Sequence, residues 1–172
     1  MNHLEQLVAE WLSYKDYFVR TSVLVGPRPM GGFEGELDVV GFHPGEGHLI
    51  HVECSLDAYA WSKRETRYKH KFLQGQKHIR PIFNGIELPA EIDHVAVLTF
   101  AGSADDHRAL GGGRLVTTYE LIAEISDGLK GTSPWSGAVR ENLPLLRTVQ
   151  LTIGAMAKPK QSQCLVPEGR II

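Results

Sequence analysis

Cysteine is scarce in this 172-residue chain: Cys54 and Cys164 stand far apart, with no C-x-x-C pair. That spacing argues against a disulfide framework or a cysteine zinc site. No apolar run approaches the ~18 residues of a membrane-spanning helix. The opening MNHLEQLVAEWL carries Glu5 and Glu10 and has no basic stretch ahead of an apolar core, so a secretory signal is not expected and a cytoplasmic setting is. Gly111-Gly112-Gly113 is not followed by Lys-Ser or Lys-Thr, which excludes a phosphate-binding P-loop. There is no G-x-S-x-G elbow, and Ser103, Asp106 and His107 lie too close in sequence for a hydrolase triad. The eight histidines include no H-E-x-x-H. His43 and His48 read as polar residues flanking a turn, and His51 as a hydrogen-bonded sheet histidine that shares the face of Glu53.

What is present is ordinary for a folded protein, with 42% hydrophobic and 22% charged residues. A chain of this length buries roughly two thirds of its unfolded surface and folds without a covalent staple. A single domain is expected over residues 1–157, with a loosely held tail over 158–172. The net charge of −2 conceals a segregation. Residues 63–80 hold seven Lys or Arg against Glu65 alone, a formal charge of +6, which leaves −8 for the remainder.

Hydrophobic periodicity predicts a first helix over 3–15, with Leu4, Leu7, Val8 and Trp11 on one stripe. Strands are predicted over 17–25, 36–42 and 48–55, the last two joined by HPGEGH as a hairpin. A long helix follows, opened by Asp57 or by the capping box Ser62-x-x-Glu65 and ended by Pro81. A buried strand over 93–100, a glycine-rich excursion, a short strand entering a helix over 114–130, and a helix over 139–157 interrupted by Pro144 complete the chain. The order of elements indicates an α/β fold around a mixed sheet flanked by helices.

The hairpin carries the chemistry. If it is symmetric about Gly45-Glu46, Phe42 opposes Leu49, Val40 opposes His51, Asp38 opposes Glu53 and Glu36 opposes Ser55, all on one face. Directly opposed Cβ atoms lie about 5 Å apart, so the Asp38 and Glu53 carboxylates repel unless a cation sits between them. Oxygen ligands of this type suit Mg²⁺ or Mn²⁺. Leu37, Val39, Ile50 and Val52 are expected on one face and Val40, Phe42 and Leu49 on the other, which makes an acid pair costly there unless it is solvated or metal-bound. Cys54 alternates away from the acids and reads as a small core residue.

A glutamate in the first helix, an aspartate on the second strand, V-E-C-S on the third and then a helix resemble the PD-(D/E)XK nuclease superfamily. The restriction-endonuclease-like and Holliday-junction-resolvase-like members are the most similar, over roughly residues 3–100. The resemblance implies a restriction-endonuclease-like α-β-β-β-α-β core and Mg²⁺, with Mn²⁺ as substitute, held by Asp38, Glu53 and the backbone carbonyl of Cys54. It implies an assisting glutamate in the first helix: Glu5 by its distance ahead of the first strand, with Glu10 as the alternative. It also implies a catalytic lysine two residues after Glu53, where this chain has Ser55. A hydroxyl cannot supply positive charge to the attacking water or the phosphorane, so either a cation enters from the neighbouring helix, as in some members, or catalysis is lost. Leu37 stands where the family name has proline. Resolvase-like relatives are dimers, so a homodimer is implied for branched substrates.

On the basic helix, at 100° per residue, Lys63, Arg67, Lys71, Gln74 and Lys77 fall within a stripe of about 120°, opposite Trp61, Tyr68, Phe72 and Ile79. A solvated helix usually intersperses acids as i,i+4 partners. A one-sign stripe suits a phosphodiester backbone, which makes Lys63, Arg67, Lys71 and Lys77 candidate nucleic-acid contacts. In the resembling family this helix often gives a glutamine or lysine to the site. Lys63 is the candidate if the helix starts near Asp57, and Lys71 or Gln74 if it starts at Ser62. The expected function is a Mg²⁺-dependent endonuclease hydrolysing DNA. The alternative is a nuclease-fold protein without catalysis that binds nucleic acid or a protein partner. A third reading, an unrelated α/β domain with a coincidental acid pair, requires Asp38 and Glu53 on non-adjacent strands.

Overall fold

The computed structural model describes residues 1–99 and 107–157. Ser103, Asp106, Cys164 and the tail over 158–172 lie outside the described residues. The chain divides into two compact units, Met1–Ile125 and Ser126–Ile172. The first holds α1 (His3–Tyr14), β1 (Phe18–Pro27), β2 (Phe33–His43), β3 (His48–Ser55), α2 (Trp61–Ile82), β4 (Asp93–Leu98), β5 (Ala109–Leu110) and β6 (Gly113–Thr117). Six strands form one mixed sheet in the order β1-β2-β3-β4-β6-β5. β1·β2, β2·β3 and β5·β6 are antiparallel, whereas β3·β4 and β4·β6 are parallel. Flanking helices make this an α/β fold. α3 (Thr118–Leu129) opens where β6 ends.

α1 begins with a capping box. Asn2 accepts from the Leu4 and Glu5 N–H groups, and Glu5 accepts from the Asn2 N–H, so three first-turn donors are satisfied. Its Leu4, Val8, Trp11 and Leu12 are buried. On the α2 side, Val40, Phe42, Leu49, Ile79 and Phe83 form one apolar cluster, and Tyr68, Phe72, Ala96, Leu98, Leu110 and Leu115 a second.

Four expectations need correction. α2 starts at Trp61 with Ala60 as N-cap and no side-chain cap bond. Neither Asp57 nor Ser62 serves: Asp57 is tied down by Ser55, Arg64 and Arg67, and Ser62 already lies inside the first turn. Pro81 sits within the last turn, and the helix continues one residue past it to Ile82. A proline so near the C-terminus stops propagation without breaking the bonds before it. Pro144 does not interrupt a helix; it starts α4 (Pro144–Ala157) in the second unit, where its missing N–H has no intrahelical acceptor to lose. Leu37 joins the cluster of Val40, Phe42, Leu49 and Ile79 instead of the opposite face. The reason is a break in alternation. The β1·β2 register runs Thr21↔Val39 then Val23↔Leu37, the β2·β3 register ends at Val39↔Val52, and Asp38 is passed over in both. Opposite it, Ser22 takes a positive φ of 50°.

Candidate functional site

The turn over 44–47 sets the β2·β3 register. His43 faces His48, Phe42 faces Leu49 and Val40 faces His51, as hairpin symmetry predicts. One step beyond Val39↔Val52, Asp38 and Glu53 replace backbone pairing with side-chain bonds. The Cys54 N–H donates to Asp38 Oδ2 at 2.9 Å, and the Asp38 N–H donates to Glu53 Oε1 at 3.4 Å. Both acids therefore stand at the place where the strands cease to be laddered, on adjacent strands.

Between them lies Lys71 of α2. Its Nζ donates to Asp38 Oδ1 and Oδ2 at 3.0 and 3.1 Å and to Glu53 Oε2. Glu53 is 0% exposed, Asp38 8% and the Lys71 side chain 22%, so this triad is enclosed on the sheet side and opens to solvent along the lysine. Burial, then the neighbouring Glu53 charge, lifts the Asp38 carboxyl to about 6 despite Lys71. Burial likewise raises Glu53 against the pull of Lys71. Burial alone would lower the Lys71 ammonium, yet the charges of Glu53 and Asp38 outweigh it and the net shift is upward. Two carboxylates sharing one ammonium keep one net negative charge.

α2 begins at Trp61, one residue before Ser62, the start for which Lys71 or Gln74 was expected over Lys63. Gln74 lies one turn further, its Cγ 3.6 Å from where a Cβ on Gly35 would stand. The Lys63 ammonium sits 3.5 Å above the Tyr59 ring instead. The Ser55 hydroxyl turns to Asp57, so it does not stand in for the motif lysine. Arg67 pairs with Asp57 at 2.7 Å and Lys77 with Glu34 at 2.7 Å. The basic stripe is thus partly neutralised. Glu5 is spent on the N-cap, its carboxylate bonded to Asn2 and 3.7 Å from the terminal ammonium. It is close enough to raise the Cys54 thiol after burial and Asp38, but it makes no hydrogen bond to the triad. Glu10 accepts from Gln6. Cys54 is buried.

Three residues that matter here carry little or no sequence signal. His51 donates to or accepts from Glu53 Oε1 across 2.7 Å, and His94 lies 3.2 Å beyond it. Arg64 is buried and grips Asp57, holding the loop between β3 and α2. Only the shared parity of His51 and Glu53 on one strand hinted at the first; His94 comes from a parallel partner 43 residues away.

The Asp38 and Glu53 carboxylates converge beside the Cys54 N–H; carboxylate oxygens are the hard donors that a cation such as Mg²⁺ takes, with water completing its shell. Tyr68 and Gln74 lie one turn to either side of Lys71, and Tyr68 Oη and Gln74 Oε1 are buried with no partner, at a cost of about 1–3 kcal/mol each. Among the described residues no group of three or more His, Cys, Asp and Glu side chains is placed to hold a metal ion, so a cation here would draw its remaining ligands from backbone and water.

No helix of the described residues is long and apolar enough to cross a membrane. Neither a family model nor a curated protein matches the chain. A solved structure described as a protein of unknown function, AF1548, is similar with a TM-score of 0.46 at 15% identity, over 89% of this chain and 94% of that one.

Proposed function

We propose that this chain is a Mg²⁺-dependent nuclease of restriction-endonuclease-like fold that hydrolyses DNA phosphodiester bonds in the cytoplasm, as a homodimer on branched substrates. The observation that carries the reading is the meeting of Asp38 and Glu53, from adjacent strands, at a single ammonium brought by a helix. Asp38, Glu53 and the Cys54 carbonyl would hold the cation. A Mg²⁺ ion held there would supply a lowered pKa for a bound water and positive charge at the scissile phosphate. Lys71 supplies the positive charge that Ser55 cannot, and its partial exposure leaves it open to an incoming phosphate. Lys63 and Lys77, with Arg67 shared between Asp57 and solvent, bear on the nucleic-acid backbone.

Incubation of plasmid and of branched DNA with Mg²⁺ tests the reading. Cleavage by the wild type should fall to background in both Asp38→Ala and Glu53→Ala, and Lys71→Ala should lose at least about 100-fold in rate, the scale of removing one charge-stabilising donor. Undiminished cleavage by the two acid variants removes the assignment.

One observation favours a non-catalytic nuclease-fold protein that binds nucleic acid or a protein. Lys71 already satisfies both carboxylates, as a structural ion pair would. Calorimetry with Mn²⁺ separates the two: a binding protein of this kind gives no heat that depends on Glu53.

A further inference from the structure

We infer that His51 is a positioning residue that orients Glu53 through a directed hydrogen-bond chain beginning at His94; its effect on cation affinity rests on the proposed metal site, but the chain itself does not. His51 and Glu53 share one face of β3, and both are 0% exposed. His51 Nε2 lies 2.7 Å from Glu53 Oε1. On its other side His51 Nδ1 lies 3.2 Å from Nδ1 of His94, its register partner across the parallel β3·β4 ladder.

The direction follows from donor arithmetic. Glu53 Oε2 is taken by Lys71, and an ionised carboxylate only accepts, so the proton between Glu53 and His51 belongs to Nε2. A neutral imidazole carries one N–H, which leaves His51 Nδ1 bare and requires His94 Nδ1 to donate. Full burial disfavours a charged His51 ring, and an Nδ1–Nδ1 contact of 3.2 Å requires one of the two nitrogens to carry no proton. Packing fixes the rings as well. A Cβ on Gly75 of α2 would stand 2.2 Å from His51 Nδ1, so only glycine lets the helix come this close. Phe72 meets the His51 ring edge-on at 5.6 Å and lies against His94 at 4.9 Å.

The consequence is a division of labour between the two oxygens of Glu53. Oε1 is held by His51 and the distant Asp38 N–H, and Oε2 is aimed at the point where Lys71 and Asp38 meet. Groups that orient ligating side chains in this way typically change metal affinity 10- to 100-fold when removed.

Nitrogen-15 correlation spectra of the histidine rings in the metal-free wild type, near pH 7, read the chain without any substitution. The expected result is His51 as the Nε2–H tautomer and His94 as the Nδ1–H tautomer. A His51 ring protonated at Nδ1, or charged, overturns the inference. Mn²⁺ calorimetry then reads the consequence. His51→Gln keeps an N–H donor and should bind within about threefold of wild type, whereas His51→Leu should bind about 10- to 100-fold more weakly. Equal affinity in His51→Leu and wild type overturns the positioning role. Should the wild type take up no Mn²⁺, the metal site falls, and the ring tautomers still decide the chain. Should His51→Leu fail to fold, the wild-type spectra and His51→Gln still stand as tests.

Discussion

Asp38 is the residue with most at stake, because its carboxyl is buried beside a second one. In the folded, metal-free protein its pKa rises from 3.8 to about 6, through burial first and the Glu53 charge second. An acid whose folded pKa is raised adds stability below its unfolded value and loses it as pH climbs through the folded value. A shift of this size corresponds to about 3 kcal/mol lost between pH 4 and pH 6. Glu53, also raised, acts in the same sense. His51 and His94 act in the opposite one: their lowered pKa values give stability that is full above pH 6.5 and lost on acidification. The terms offset, so the wild-type profile alone hides the effect. The difference between wild type and Asp38→Asn exposes it. Chemical denaturation at stepped pH should show wild type losing roughly 2–3 kcal/mol relative to Asp38→Asn from pH 4 to pH 6.5; a constant difference would mean Asp38 titrates normally.

Among the elements, α2 decides what meets what. It brings Lys71 to the acids, Arg64 to Asp57 and Gly75 to His51 within a few turns, and it does so from an uncapped start. Ala60 has the extended backbone of an N-cap, φ −56° and ψ 148°, and its carbonyl accepts from Lys63 and Arg64, but it offers no side-chain acceptor. Ala60→Ser should add about 1 kcal/mol and raise Tm by about 2–4 °C, without altering Mn²⁺ affinity. A fall in Tm would show that the loop from Leu56 to Ala60 cannot take a polar cap. The same helix marks the limit of sequence reading. The hairpin is legible from the turn as far as Val39↔Val52, because a tight turn fixes antiparallel register until a break in alternation interrupts it. The cation was legible only as a set of candidates, because which lysine faces the sheet depends on the residue where α2 starts, and neither apparent cap there is used. The inward course of Arg64 could not be read from charge alone, nor could the pairing of His94, since parallel partners carry no local signal.

At the scale of the molecule, the +6 segment does not present seven cations to solvent. Lys71 and Arg64 turn inward, Arg67 and Lys77 share acids, and Arg80 donates to the Pro89 and Ala90 carbonyls. Lys63 and Lys69 remain exposed for phosphate, together with Lys77, whose side chain stays 58% exposed beside Glu34. On the proposed nucleic-acid reading, duplex binding should show a modest salt dependence, with log K falling against log salt at a slope near −3, and each of Lys63→Ala and Lys69→Ala should reduce that slope by about 1. A slope steeper than about −6 would mean a larger basic surface than α2 provides. The sheet organises this economy: β3 pairs antiparallel with β2 and parallel with β4, so one strand delivers Glu53 to an acid on one side and receives the His94 chain from the other.

The ammonium between Asp38 and Glu53 comes from 18 residues past Glu53, on an element that meets the sheet through side chains and not through a backbone ladder. A search pattern written along a single strand cannot register such a residue. Chains with the same three-dimensional arrangement would be recovered by asking for an acid on each arm of a hairpin and a lysine about ten residues into the next helix, whatever follows the second acid.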